Sequence, residues 1–556
     1  MRLIAAVLAL FLANADLQAA TRAPVRARRA MVVSAQADAT RAGVEVLQSG
    51  GNAVDAAVAV GFALAVTHPR AGNLGGGGFM LIRFADGRAT FLDFRERAPA
   101  AAHRDMYLGP DGEPTDEMIL GYRASGVPGT ARGLEMATRK YGTKQLRELV
   151  EPAVRLASNG FAVTFDQSQS LQSSRMAKFP ESRRIFQRGG RFYEMGEVLR
   201  QPDLQRTLER IARHGADDFY AGETARLIAA DMKKNHGTIT LDDLKQYKPV
   251  ERTPLEGSYR GYEIITAPPP SSGGVGIIQM LNMLEESGYE RSGAGSAAAI
   301  HYVAETMRRY FADRAAYFGD PDFVSVPVER LTRKSYARQR AKTIDRGRAG
   351  RSSEMPPGLS AGSESTETTH YSVVDDAGNA VAVTYTLNGS FGSGVTAVGT
   401  GVLLNNEMDD FSSKPGAPNN AGLLTSEQNA IAPGKRPLSS MTPTIAARGG
   451  KLFLVVGSPG GPTIISTVLQ IIINVIDFKM NLQQAVDFPR FHHQWMPDRL
   501  RLERHGHSQD TVERLSRRGH PLSFVEKQGR VMAIQATDQW LLGAADARSE
   551  GSAEGY

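Results

Sequence analysis

The sequence predicts an α+β protein whose two kinds of element are unevenly divided along the chain. Helical patterns mark residues 37–66 and much of 130–318, whereas β-branched strand runs dominate from residue 368 onward. Between them lies 344–367, built of Gly, Ser, Arg, Pro and Glu with almost nothing apolar, which is expected to be a flexible linker. At 41 % hydrophobic and 22 % charged residues, the chain can bury a large core.

The elements follow in order. Met1-Arg2 gives a positive start, Leu3–Ala13 is apolar, and small residues follow, with candidate cleavage points after Ala15, Ala19 or Ala20. Residues 1–20 are therefore expected to be a secretory signal, and the product to be secreted or periplasmic. No later run is apolar and long enough for a membrane span. The chain has no cysteine, which excludes disulfides and thiol catalysis. A helix over "ATRAGVEVLQSGG" should stop at Gly50-Gly51, and Asn52 should cap a second helix, "AVDAAVAVGFALAV", apolar nearly all round and hence buried. "NLGGGGFMLIRF" lacks the Gly-Lys-Ser/Thr ending of a phosphate loop. Its glycines point instead to close backbone passage into a strand. Thr240 should cap a helix, others should cover 297–318 and 463–478, and "LFLVVG" reads as a strand. The net charge of +6 is spread along the chain with no basic module, so no nucleic-acid partner is expected.

The run 368–388, "TTHYSVVDDAGNAVAVTYTLN", carries the most specific geometry. Two strands flank Asp376-Ala377-Gly378, a composition that suits a three-residue hairpin loop with glycine left-handed. Asp375 then pairs with Asn379, and the register places Thr368 opposite Thr386, two hydroxyls on one face. A threonine hydroxyl becomes a good nucleophile when a base adjoins it. An N-terminal threonine supplies that base as its own α-amine, with a reference pKa of about 7.7–8.0. That would require a cut between Glu367 and Thr368. The residues alone favour the plainer reading, a Thr-rich strand.

The blocks "GGNAVDAAVA", "THPRAGNLGGGGFMLIR", "DFRERAP", "PPPSSGG", "TTHYSVVDDAGNAVAVTYTLN", "NNEMDDF", "RPLSSM", "GSPGG" and "PRFHHQW" span nearly the whole chain after the leader. In this order they resemble the γ-glutamyltranspeptidases, N-terminal-nucleophile hydrolases that cut themselves into two subunits. The resemblance implies a four-layer αββα sandwich, with a large subunit 21–367 and a small catalytic subunit 368–556 forming a heterodimer from one precursor. It implies Thr368 as nucleophile after cleavage of the Glu367–Thr368 bond, Thr386 as the residue orienting it, and Gly460 and Gly461 as the oxyanion hole. It implies Arg95 with Ser439 and Ser440 for the substrate α-carboxylate, and Asn388, Glu407 and Asp410 for its α-ammonium. The implied substrates are glutathione and other γ-glutamyl compounds, with water, amino acids or dipeptides as acceptors.

No metal or other cofactor is expected. His492-His493 diverge on any regular backbone, and the eleven histidines show no ligand spacing. Some relatives carry glutamine where this chain has Glu407. The long loop 411–436 is a lid candidate, and Ala421 stands where lidded relatives often place tyrosine, which implies a more open pocket. Two alternatives stand beside the main expectation: a cephalosporin (glutaryl) acylase on the same scaffold, and an exported protein that binds γ-glutamyl peptides without cutting them.

Overall fold

The computed structural model describes residues 21–355, 368–414 and 426–556. The expected signal segment 1–20, Glu367 and Ala421 lie outside the described residues. Two seven-stranded antiparallel sheets form the body. One runs, edge to edge, Val25–Ala27, Leu541–Ala545, Met532–Ala536, Lys451–Gly457, Thr444–Arg448, Tyr262–Thr266 and Leu255–Tyr259. The other runs Ser552–Gly555, Met31–Ser34, Thr369–Val374, Ala380–Thr386, Gly77–Arg83, Ala89–Asp93 and Val250–Arg252. The sheets stack, with Thr369–Val374 and Ala380–Thr386 against Met532–Ala536 and Lys451–Gly457. Helices Ala37–Gln48 and Ala53–Thr67 cover the second sheet; Gly273–Leu284 and Thr463–Ile476 cover the first. Both sheets thus have both faces covered. This explains why Thr369–Val374 and Ala380–Thr386 are buried at every position rather than at alternate ones.

Local chemistry sets these elements. Asn52 accepts from the N–H groups of Val54 and Asp55, and Asp55 returns a bond to the Asn52 N–H, a capping box that starts the buried helix Ala53–Thr67. Thr240 caps Leu241–Gln246 in the same way. The hairpin register is as the sequence predicts: Thr369 faces Tyr385 and Val374 faces Ala380, and the Asp375 N–H donates to the Asn379 carbonyl at 3.1 Å. Gly378 supplies the left-handed position at φ 88°. Asp375 then ties the turn to the helix layer, because its carboxylate accepts from the backbone N–H groups of Ala53, Ala377 and Asn379 and from the Asn379 amide.

The polar stretch 344–367 departs from expectation in its first half. Residues 344–355 are docked, not loose. The Ala349 N–H donates to the Arg518 carbonyl at 2.7 Å, the Ser352 N–H to Asp498 at 2.7 Å, and the Trp495 indole N–H to the Ser352 carbonyl at 3.0 Å. His301 bonds the Asp345 carbonyl at 2.7 Å, and buried Arg308 bonds the Ser352 hydroxyl. Composition alone counts what a segment lacks. Here the missing apolar contacts are replaced by hydrogen bonds to a buried ionic network.

That network also holds a cluster the sequence spacing does not disclose: ligand atoms of His301, Glu305 and His520 lie within 4.8 Å of one another. Most of their polar atoms are already engaged, although His520 Nδ1 is not. Glu305 accepts from Arg308 and Arg309, and His301 bonds His520 at 2.8 Å. Two adjacent guanidinium groups make it a poor cation site.

Candidate active site

Thr368 sits at the start of the strand Thr369–Val374, on the face turned toward the other sheet. The alternation is clear from its neighbours. Ser372 donates across to the Met532 carbonyl at 2.9 Å, while Tyr385, one residue off the Thr386 face, reaches the helix layer and donates to the Gly61 carbonyl at 3.0 Å. The Thr368 hydroxyl donates to Thr386 Oγ1 at 3.4 Å, and the Asn388 N–H donates to the same oxygen at 2.8 Å. Thr386 is thereby held from below while it faces Thr368 across the hairpin. Asn388, at φ 71°, turns its amide to the Asn406 carbonyl at 2.9 Å, which leads the chain directly to Glu407.

His370 is the histidine nearest in sequence, and it is no base. Its ring nitrogens bond Thr384 at 2.8 Å and Ser372 at 3.1 Å, and burial pushes its pKa down to about 3. Gly457 exists to make room for this ring: a Cβ there would lie well inside van der Waals contact with it. The same strand runs on to Pro459, which lines one cavity with Thr368, and to Gly460 and Gly461. Both glycines are left-handed, at φ 134° and 54°, and both precede the helix Thr463–Ile476. Pro459 thus brings the turn to the cavity that Thr368 lines, and the two glycines lead from it into the positive end of that helix.

A second cluster forms around Arg95. The guanidinium is fully buried, pairs with Glu407 and Asp410, donates to the carbonyls of Pro437 and Leu438, and lies 3.5 Å from Glu96. Ser439 and Ser440 follow at once in the chain and are buried; Arg314 donates to the Ser440 hydroxyl at 3.3 Å. Three buried carboxylates therefore face one guanidinium. Burial raises Glu407 to about 8 and Glu96 to about 7, and Arg95 only partly offsets this. Glu96 lies against Glu407 closely enough for one proton to serve both. The arrangement offers the Arg95 guanidinium and the Ser439 and Ser440 hydroxyls to an anion and a surplus of negative charge to a cation. An amino-acid head group carries that pair of charges.

The model of the family described as Gamma-glutamyltranspeptidase matches residues 39–556. The chain belongs to the γ-glutamyltranspeptidase family. It is 52 % identical over 531 residues to the glutathione hydrolase proenzyme of Escherichia coli K12, covering 95 % of this chain and 91 % of that one. It is also 41 % identical over 476 residues to the acylase ACY 1 proenzyme of Pseudomonas sp. strain V22, covering 84 % and 83 %. Among solved structures it is similar to a cephalosporin acylase from Bacillus halodurans, with TM-score 0.82 at 27 % identity and 98 % of each chain covered. It is similar, too, to the Helicobacter pylori γ-glutamyltranspeptidase, with TM-score 0.58 at 45 % identity, covering 61 % of this chain and 97 % of that one.

Within this family fold Thr368, Thr386 and Asn388 are joined by hydrogen bonds, Arg95, Glu407 and Asp410 by ion pairs with Ser439 and Ser440 next in the chain to the Arg95-bound Leu438 carbonyl, and Gly460 and Gly461 follow Pro459, which shares a cavity with Thr368. Glu367 lies outside the described residues. Sequence reasoning missed Glu96 and Asn406. Glu96 follows Arg95 directly, and neighbours on an extended chain ordinarily face apart. Here the chain has left the strand Ala89–Asp93 and turns, so both side chains point inward. The signal for Asn406 was present in "NNEMDDF", where two adjacent buried asparagines imply backbone groups needing partners: Asn405 bonds the Gly75 and Gly126 carbonyls, and Asn406 accepts from the Gly389 N–H.

Proposed function

We propose that the chain is an exported proenzyme that cleaves itself before Thr368 and then acts as a γ-glutamyltransferase and glutathione hydrolase. In the first step the Thr368 hydroxyl attacks the Glu367 carbonyl, the peptide shifts to an ester, and water releases Glu367 as a carboxylate and Thr368 as a free α-amine. In turnover that amine takes the Thr368 Oγ proton as Oγ attacks the γ-carbonyl of the donor. The Gly460 and Gly461 N–H groups receive the oxyanion; one such donor is typically worth about 10²–10³ in rate. The leaving amine departs with the proton, and the γ-glutamyl ester passes to water or to an amino acid or dipeptide. Arg95, Ser439 and Ser440 hold the α-carboxylate; Asn388, Glu407, Asp410 and Glu96 hold the α-ammonium.

The observation that carries this reading is the charge of the buried cluster. Three carboxylates face the single cation Arg95, so the ionised cluster carries an excess of negative charge that a donor ammonium reduces. A glutaryl group has no ammonium and would leave the surplus in place, which separates this reading from the acylase one despite the acylase relatives. The leader at 1–20 supports export.

Expression of the full chain should give two bands on a denaturing gel, the smaller beginning Thr-Thr-His-Tyr. Thr368→Ala should give one uncut chain without activity. Turnover of γ-glutamyl-p-nitroanilide should far exceed that of glutaryl-p-nitroanilide. A chain that stays whole, or that prefers the glutaryl donor, rejects the proposal.

A further inference from the structure

A second cleft adjoins the nucleophile. It has a volume of about 290 Å³ and is lined by Pro459, Gly460, Thr463, Arg501, Lys527 and Arg530, with short stretches of backbone between them. Pro459 and Arg530 also line the cavity that contains Thr368, so the two spaces share a wall at these two residues, the first of them next in the chain to Gly460. None of the residues around Arg95 lines this cleft. It therefore lies apart from the head-group cluster, on a side of the reacting carbonyl left to whatever is joined to it.

Its charge is one-sided. Three cationic side chains line it and no acidic one does. The Arg501 guanidinium makes no hydrogen bond or ion pair with any described residue, and burial together with neighbouring Arg499 lowers its pKa. Part-buried arginines elsewhere in the molecule are paired: Arg548 holds Glu503 and Asp546, and Arg252 holds Asp93 and Asp322. Lys527 reaches only the Arg548 carbonyl, at 3.2 Å. A half-buried guanidinium with no counter-ion is costly to keep, and its planar fork is shaped for a carboxylate.

We propose that this cleft is the subsite for a carboxylate carried by the leaving group or the acceptor: the C-terminal carboxylate of a γ-glutamyl peptide, or of an amino acid or dipeptide, lies between Arg501 and Lys527 with Arg530 at the join to the nucleophile's cavity. This rests on the γ-glutamyl reading above and adds to it a preference for free acids over neutral amines.

The test compares glutathione with its C-terminal carboxamide, which differ in that charge alone, on the processed enzyme. The wild type should favour the acid by about tenfold in kcat/KM, and 1 M salt should erode the preference. Arg501→Gln and Lys527→Ala should each reduce the acid-to-amide ratio severalfold, and Arg501→Lys should retain most of it. Lys527 is exposed, so its variant reports even if the Arg501 variant folds poorly. Equal use of acid and amide by the wild type, or a ratio that neither substitution changes, overturns the assignment. A processed enzyme that uses neither donor, nor the γ-glutamyl anilide, overturns the γ-glutamyl reading and this subsite with it.

Discussion

Thr368 and Thr386 meet across the hairpin as a donor and an acceptor, and the acceptor is the more informative partner to change. Thr386→Val keeps the shape and removes the oxygen. The Asn388 N–H then loses its bond in a buried site, and the Thr368 hydroxyl loses its orientation. An unmet buried polar group costs about 1–3 kcal/mol, so kcat should fall about ten- to a hundredfold with smaller change in KM, and processing should slow in parallel. Steady-state kinetics and a time course on denaturing gels read the two effects. Glu96 and Glu407 give a second test at this scale. Their raised pKa values leave them partly protonated below about pH 7–8, whereas an ammonium needs them ionised. Donor KM should therefore fall as pH rises from 6 to 8, and donor binding should release protons, detectable by calorimetry in buffers of different ionisation enthalpy. Glu96→Gln should flatten the pH dependence of KM. A KM that rises over this interval in the wild type contradicts the assignment.

Single elements are held by few groups, and these are where substitution should be felt. Asp375 joins a hairpin turn to a helix start with one carboxylate accepting four bonds. Asp375→Ala leaves the Ala53 N–H without its partner at the head of a fully buried helix. Bonds to a charged acceptor contribute about 1.5–3 kcal/mol each, so a clear drop in the thermal midpoint should follow, with catalysis per folded molecule less affected. Gly457→Ala should behave differently. Its methyl group must displace the His370 ring, which packs between the sheets two residues from Thr368. Overpacking of this kind costs about 1–3 kcal/mol, and here it should lower both the melting midpoint and kcat, whereas a change confined to stability would contradict the packing argument.

The same elements show what a sequence can disclose. The hairpin register was legible because Gly378 fixes the turn and the turn fixes every pair above it. The buried helix was legible because Asn52 announces its start and its residues are apolar on all sides. The glycine run 75–78 was legible as close backbone passage: a Cβ at Gly76 would strike the Thr386 carbonyl, and one at Gly75 the Leu403 carbonyl. What could not be read depends on partners far along the chain. The docking of 344–355 needs Asp498, Trp495 and Arg518, and the inward turn of Glu96 needs the space beside Gly77. Arg501 gave no signal, since an arginine without a partner is recognised only once its surroundings are known.

At the scale of the molecule, the segments on either side of the proposed cut alternate within both sheets. Strands 369–374 and 380–386 lie between Met31–Ser34 and Gly77–Arg83, while in the other sheet Val25–Ala27 on one side and Tyr262–Thr266 with Leu255–Tyr259 on the other flank four strands from after residue 368. The two products of processing should therefore co-elute as one particle on gel filtration and part only in denaturant. Separation in native buffer would contradict this arrangement.

The interleaving also gives the proposed cleavage a direction in time. An intact chain that unfolds can return along the route by which it first folded, at any dilution. Once cut, the same body unfolds into two molecules that must find each other, and neither holds a complete sheet alone. Breaking that one bond would leave the native particle almost unchanged while removing its way back. The working lifetime of the processed enzyme would then be set by how slowly it opens, not by its equilibrium with an unfolded state.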